Sequence, residues 1–215
     1  MIKTLLINLL TSKELESEEL SLSHVERNCW DLLHIGCMKG KEPFHTFVLA
    51  TNSGLGVDLR TVVLRKVDED ERLIFFHTDI RAAKVEQLEK TEESAILFYD
   101  PAKRIQLRIK AKATFHTTDQ IADKLWAETR LSARKYYLSE KPPGAQLNNC
   151  YDSLPTHLHG FDPEKEESEL GRLNFLVVSL KITQMDWLFL CSQGHKRAKI
   201  DYEDNDFKSS SWINP

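Results

Sequence analysis

The chain has 215 residues, 41% hydrophobic and 29% charged, enough apolar material for one sizeable core and too much for a disordered polymer. Its 33 acidic and 29 basic side chains leave a formal charge of −4, so no global positive field gathers nucleic acid and any anion site must be local. The longest apolar runs, such as Leu173 to Leu180, are strand-length rather than bilayer-length, and Met1 to Leu10 lacks a signal-peptide cleavage pattern, so neither nucleic acid nor membrane is an expected partner and the expected location is cytoplasmic.

Leu22, Val25, Trp30, Leu33 and Cys37 recur at helical spacing behind a capping Ser21 or Ser23, which predicts a helix over 22–37 that Lys39, Gly40 and Pro43 end. Phe44 to Thr51 reads as a strand, with Asn52-Ser53-Gly54 as its turn. Thr61 to Val67 and Leu73 to Thr78 suit a hairpin about the charged segment Asp68 to Arg72. Asp79 is placed to cap a helical stretch running to Lys90, and Ala95 to Tyr99 returns to strand before Asp100-Pro101. From Ile105 to Ile109 apolar side chains alternate with Gln106, Arg108 and Lys110, the clearest strand in the chain, with one buried and one polar face.

Ile121 to Leu138 is helical in composition and stops before Lys141-Pro142-Pro143-Gly144. Residues 142–172 show no period and read as a long loop. Strands are expected again at Leu173 to Ile182, Met185 to Cys191 and Arg197 to Tyr202. Strands joined by short turns, with helices inserted between them, predict a mainly β fold: an antiparallel barrel with peripheral helices. One domain over 1–215 is expected, with residues 1–40 as an N-terminal helical extension. No GxGxxG or Walker-type glycine loop is present.

The four cysteines, at 29, 37, 150 and 191, form no CxxC pair and read as buried, reduced thiols. His157 and His159, near Cys150 and Asp152, are the one close histidine pair, but without a second ligand pair no metal site is expected. Basic groups recur beside strand ends at Arg60, Arg65, Arg81, Lys84 and Arg108. Arginine forks and a lysine point charge suit a phosphate monoester. Arg81 and Lys84, three apart, would share the first turn of the helix that Asp79 opens, where free N–H groups add to the attraction. Arg60 and Arg65 differ in parity, so an ideal strand aims them at opposite faces. The competing reading is a set of solvated surface charges.

The ordered segments R-x-V-x-L-R from Arg60, F-F-x-T-D-x-R-A-x-K-x-x-Q-L from Phe75 and Q-L-R-I from Gln106 resemble the FMN-binding signature of the pyridoxamine 5'-phosphate oxidase family. The similarity runs from Phe44 to about Pro142 and again from Leu173 to the C-terminus. It implies an FMN-binding split β-barrel, a homodimer with the flavin between subunits, and an oxidoreductase passing a hydride from substrate to flavin N5. Family phosphate contacts fall on Arg60, Arg81 and Lys84. Thr61, Val62, Val63, Leu64 and Arg65 would line the flavin, His77 and Thr78 would border it, and Gln106 would meet the ring edge. Trp187 and Arg197, with the closing Trp-Ile-Asn-Pro, resemble the family's C-terminal pattern; Arg197 would stabilise charge on the reduced ring. A core or interface aromatic is the competing reading of Trp187, and a surface histidine that of His195.

For a phosphorylated B6 vitamer as substrate, the resemblance points to Arg65, Trp126, Arg130, Arg134 and His195. Trp126 and Arg134 stand where oxidases carry tyrosine and serine, Gln193 where they carry arginine, and Lys141-Pro142 where they carry Gln-Ser. These departures keep two alternatives in view: a non-catalytic flavin-binding or sensor protein, and a flavin reductase with another substrate. A binding module with an empty barrel is a third.

Overall fold

The structure is a computed structural model describing residues 7, 9–148, 150, 153–204 and 206–215. The short helix α1 (Ser12–Glu16) carries a capping box in which Thr11 and Glu14 satisfy each other's backbone N–H groups. Helix α2 (Leu22–Met38) is capped by Ser21 and buries Val25, Cys29, Trp30, Leu32 and Leu33, so the N-terminal extension is built into the main core. At Gly36 an added Cβ would lie 2.3 Å from the Phe44 carbonyl oxygen, so only glycine permits α2 to pack this closely on the turn at Pro43–His45.

Strands β1 (Thr46–Asn52) and β2 (Val57–Val63) form a hairpin closed at Gly54 and Gly56, both at positive φ. Next come β3 (Lys66–Asp68), β4 (Leu73–Asp79), α3 (Ala83–Lys90), β5 (Glu93–Asp100) and β6 (Ile105–His116). The expected run from Thr61 to Val67 is therefore two strands, broken at Leu64 and Arg65. The single helix expected over Ile121–Leu138 is α4 (Gln120–Glu128), α5 (Leu131–Arg134) and a 3-10 turn Lys135–Leu138. It breaks because Arg130 takes extended backbone and the Thr129 hydroxyl donates to the Leu125 carbonyl. Short turns at Thr156–Leu158, α6 (Lys165–Ser168) and Glu169–Asn174 occupy the segment read as loop.

The last strands are β7 (Phe175–Phe189), β8 (Lys196–Glu203) and β9 (Asp206–Ile213). β7 merges the two strands expected there. All pairings are antiparallel, in the order β2-β1-β5-β6-β7-β4-β3, with β8 on β7 and β9 on β8. Along one edge of β7, residues 175–181 pair with β4 and residues 184–189 with β8. The register with β6 shifts at Lys110/Ala111, where Thr183 is the extra residue, and this bulge bends the strand where its partner changes. The sheet so curls into a half-barrel with peripheral helices, consistent with the expected antiparallel split barrel.

The main core fills the concave side, from Leu49 and Phe98 to Trp187 and Ile200 under α2. A smaller cluster of Phe75, Leu125, Trp126, Phe175 and Val177 seats α4 on the other face of β4 and β7. No helix among the described residues is long and apolar enough to cross a membrane. All four cysteines are free: Cys29 and Cys191 are buried as expected, whereas Cys37 is partly buried and Cys150 is exposed.

Candidate functional site

The expected basic residues separate into three places. At the first, Arg60 turns from β2 toward α3. Its guanidinium donates to the Thr51 hydroxyl, to the Leu49 carbonyl at 3.4 Å and to Gln87 Oε1 at 3.1 Å. Lys84 Nζ donates to the Thr78 hydroxyl at 3.0 Å. Burial, and then the neighbouring Arg60 charge, lower the Lys84 pKa from its ordinary value, which shows that the two cations share one field. The helix start adds to it: Ala82, at the N-cap of α3, has no side-chain hydrogen bond to make, so the positive helix end is left to other partners. Arg60, Lys84, Thr78 and this helix start lie together as one basic grouping, with Asp58 3.8 Å from the Arg60 guanidinium.

Arg81 is placed differently from the expectation. Helix α3 begins two residues after it, and Asp79 does not cap the helix; its carboxylate takes Arg81 Nε at 2.9 Å and Nη2 at 2.6 Å. The same guanidinium donates to the carbonyls of Ser139 at 3.0 Å and Glu140 at 3.4 Å, which ties β4 to the loop after α5.

The second place is the convex face of the sheet. A cavity of about 470 Å³ is walled by Val48, Ala50, Leu59 and Leu97 and carries Gln106 and Arg108 at its polar end. Asp186 lines it too, accepting from Arg197 Nε at 2.9 Å and Nη2 at 2.8 Å and from Arg108 at 2.9 Å. These two arginines hold the Asp186 pKa below the usual carboxylate value against the opposing effect of burial, the largest single influence on it. Trp187, one residue on, points the other way and is sealed in the core. Val62 and Leu64 are likewise core residues, which leaves a ligand their backbone alone, whereas Thr61 is exposed and Val63 half-buried. His195 is exposed, and its Nδ1 accepts from the Cys191 N–H at 3.1 Å.

The third place gathers Arg65, His77 and Arg130 around a cavity of about 390 Å³. Arg65 and Arg60 stand in different places, but β2 ends at Val63, so the strand parity expected to separate them does not extend to Arg65. Trp126 and Arg134 do not join Arg130: Trp126 Nε1 donates to Glu169 at 2.8 Å. Arg134 is buried over the Trp126 ring, 4.5 Å from its centroid. Its five donors are spent on Thr129, Ser168, Glu169, Trp126 and Ala127. Sequence reasoning missed Glu169, which is 35 residues from Arg134 and sits in a run of acids that reads as solvated.

Two other polar groupings are structural. Ser179, His116 and Asp119 align with contacts of 2.9 and 2.6 Å, but Ser179 is buried in mid-sheet between β4 and β6, so this relay braces α4 on the sheet. His157 pairs with Glu167 at 2.5 Å, while Asp152, part of that expected histidine loop, lies outside the described residues.

Residues 27–117 match the family model described as pyridoxamine 5'-phosphate oxidase, FMN-binding domain. The match starts inside α2, before the Phe44 at which the motif resemblance begins, and ends at Thr117 rather than near Pro142. None of the curated proteins matches the chain. Among solved structures, a pyridoxamine 5'-phosphate oxidase-related FMN-binding protein from Nostoc punctiforme PCC 73102 is 25% identical. That alignment covers 91% of this chain and all of that one, with a TM-score of 0.69. PhzG from Burkholderia lata 383, in complex with tetrahydrophenazine-1-carboxylic acid, is 18% identical over 97% of this chain and 99% of its own. Its TM-score is 0.64, a likeness of fold.

Proposed function

We propose that this chain, whose residues 27–117 match an FMN-binding domain model and whose fold is similar to that of an FMN-binding protein, binds FMN as a homodimer and acts as a flavin-dependent oxidoreductase. The observation that carries this reading is the basic grouping of Arg60, Lys84 and Thr78 at the start of α3, inside the matched segment. A phosphate monoester brings close to two negative charges and would offset the desolvation that weakens the Lys84 ammonium. Arg81 would add to it by exchanging part of its contact with Asp79 or with the 139–140 carbonyls.

The Gln106 cavity suits the ring. Apolar walls cover a flat aromatic body, and an amide meets an edge of carbonyls and N–H groups. β1 stands between the two places. Leu49 and Thr51, which touch Arg60, lie on one face, and Val48 and Ala50, which wall the cavity, on the other. One FMN drawing on both would therefore be shared between two copies, and the exposed Val57 and Leu59 give that second copy an apolar face to cover. Thr61, Val63 and the backbone of Val62 and Leu64 would border the cofactor, with His77 near its far side.

Bound FMN would supply the redox step, accepting a hydride at N5 from the substrate. The chain's part is to hold and orient it, to shed water from the cavity, and to set the local charge through Arg197, which Asp186 pins in place. Trp187 would act from the core, as support for the strand carrying Asp186. No protein nucleophile is required. With pyridoxamine or pyridoxine 5'-phosphate as substrate, Arg65, Arg130 and His195 would be the contacts, and Trp126 and Arg134 would not.

That last observation favours a second reading, a flavin reductase with another substrate or a flavin-binding sensor. The test is to purify the chain, record its visible spectrum and sedimentation with and without FMN, and assay it with pyridoxamine 5'-phosphate under air. A chain that takes up no FMN refutes the proposal. Bound flavin without aldehyde or peroxide selects the second reading.

A further inference from the structure

The segment between α1 and α2 is tied to one end of the sheet. Leu15 and Leu20 are buried and anchor it in the main core. Helix α1 has only 5 residues, so the carbonyls at its end lack partners within the helix. Lys196 supplies one: its Nζ donates to the Leu15 carbonyl at 3.0 Å and to the Ser17 carbonyl at 2.7 Å. The Glu16 carboxylate meets the same end of the sheet at two further points. Arg104, in the β5–β6 turn, is 3.6 Å from it, and the Cys191 thiol, in the β7–β8 turn, donates to it at 3.7 Å. Arg104 and Glu16 are both half-exposed, so that pair adds little. Lys196, part-buried with its charge on two carbonyls, is the main tie.

Alternation along β8 explains why this lysine is the one that reaches. Ala198 and Ile200 are sealed in the core, so Lys196 shares their face and meets the N-terminal segment at the core's rim. Arg197 takes the opposite face and reaches Asp186. Successive residues therefore grip the start of β8 from both sides. Gln106 pairs with Leu188, and Leu188 with Arg197, so the amide and the guanidinium stand in one row of the convex face, two strand spacings or about 10 Å apart. That row lies at the open end of a ladder. Phe189 and Lys196 form the last β7–β8 pair, one residue from Arg197, and strand ends are where pairing opens first.

We propose that Lys196 is a positioning residue: by clasping residues 15–17 it holds Arg197 in line with Gln106, and so keeps the guanidinium where the flavin ring gathers negative charge on reduction. This deepens the FMN reading and rests on it.

The test compares Lys196→Met in the full chain with Lys196→Arg, whose fork still spans two carbonyls. In the methionine variant, hydrogen exchange of the amides of residues 12–20 should quicken by about tenfold or more, because losing a charge-assisted contact lets the segment open. FMN and riboflavin should both bind more weakly and by the same factor, since the basic grouping at α3 is untouched. The reduction potential of the bound flavin should fall, because a loosened Arg197 stabilises the reduced ring less. Lys196→Arg should restore all three. A methionine variant that exchanges faster yet keeps the affinity and potential makes the clasp a purely structural tie and overturns the proposal. So does a changed ratio of FMN to riboflavin affinity, or exchange that stays the same. Should Lys196→Met not fold, Glu16→Gln loosens the same segment from a half-exposed position and is read in the same way, with effects of about threefold. A chain that takes up neither flavin refutes the FMN reading and this inference with it. A yellow chain of unchanged potential refutes only this one.

Discussion

Replacing Lys84 by methionine keeps most of the side chain's length and removes its charge, at a position where that charge is poorly solvated and lies beside Arg60. If the grouping at the start of α3 takes the FMN phosphate, the variant loses one charge-assisted contact. Such contacts are worth about 1.5–3 kcal/mol, so Kd should rise roughly 10- to 150-fold. The same site dictates a pH dependence. Without an anion, burial and Arg60 lower the Lys84 pKa, and a bound dianion raises it again, so the complex holds the lysine proton more tightly than the free protein does. FMN affinity must therefore fall as pH rises through the lowered pKa of the free protein. Lys84→Met should lack that alkaline limb. Flavin fluorescence quenching between pH 7 and pH 10 measures both effects. A methionine variant with unchanged Kd, together with a pH-independent Kd in the unaltered chain, would refute the placement of the phosphate.

Three other substitutions test the structure at separate points. His77 has a folded pKa of about 3 against an ordinary 6.5. The unfolded chain takes up that proton first as pH falls, and stability drops between pH 6.5 and 3 by up to about 1.4 kcal/mol per pH unit; urea unfolding at pH 7 and pH 5 should show this loss, and His77→Phe should lack its share of it. Arg134→Ala removes five hydrogen bonds and the cation over Trp126, while Glu169 stays half-exposed and solvated. A cost of about 2–3 kcal/mol in chemical denaturation is expected, with FMN affinity held within about twofold. Leu59 is 66% exposed in the single chain. Leu59→Glu should fold normally yet sediment as a monomer and lose FMN affinity, and a dimer that survives the charge would place the interface elsewhere.

The strand from Ile105 was legible because its alternation is complete, and the structure extends it to His116. β9 was not, since Asp206 to Ser211 carries almost no apolar period and only its ladder with β8 makes it a strand. The polar interval Thr183-Gln184 falls between the two strands expected there; a bulge absorbs it within one. The helix after Gln120 looked continuous because Thr129 and Arg130 are compatible with helix, and their side-chain and backbone hydrogen bonds, not their propensities, break it.

At the candidate site, the family resemblance singles out Arg60, Lys84 and Gln106, and the structure sets Arg60 beside Lys84 and lines a separate cavity with Gln106. What the sequence could not contain is which charges are already used. Asp79 engages Arg81, Asp186 engages Arg197, and Glu169 engages Arg134 from 35 residues away, whereas Arg65 and Arg130, beside a cavity, have no ion-pair partner among the described residues. Local pattern encodes which face a side chain takes, since backbone geometry repeats every few residues. Pairing of charges depends on distances set by the whole chain's packing, and so only the tertiary structure decides which of these arginines can receive a ligand.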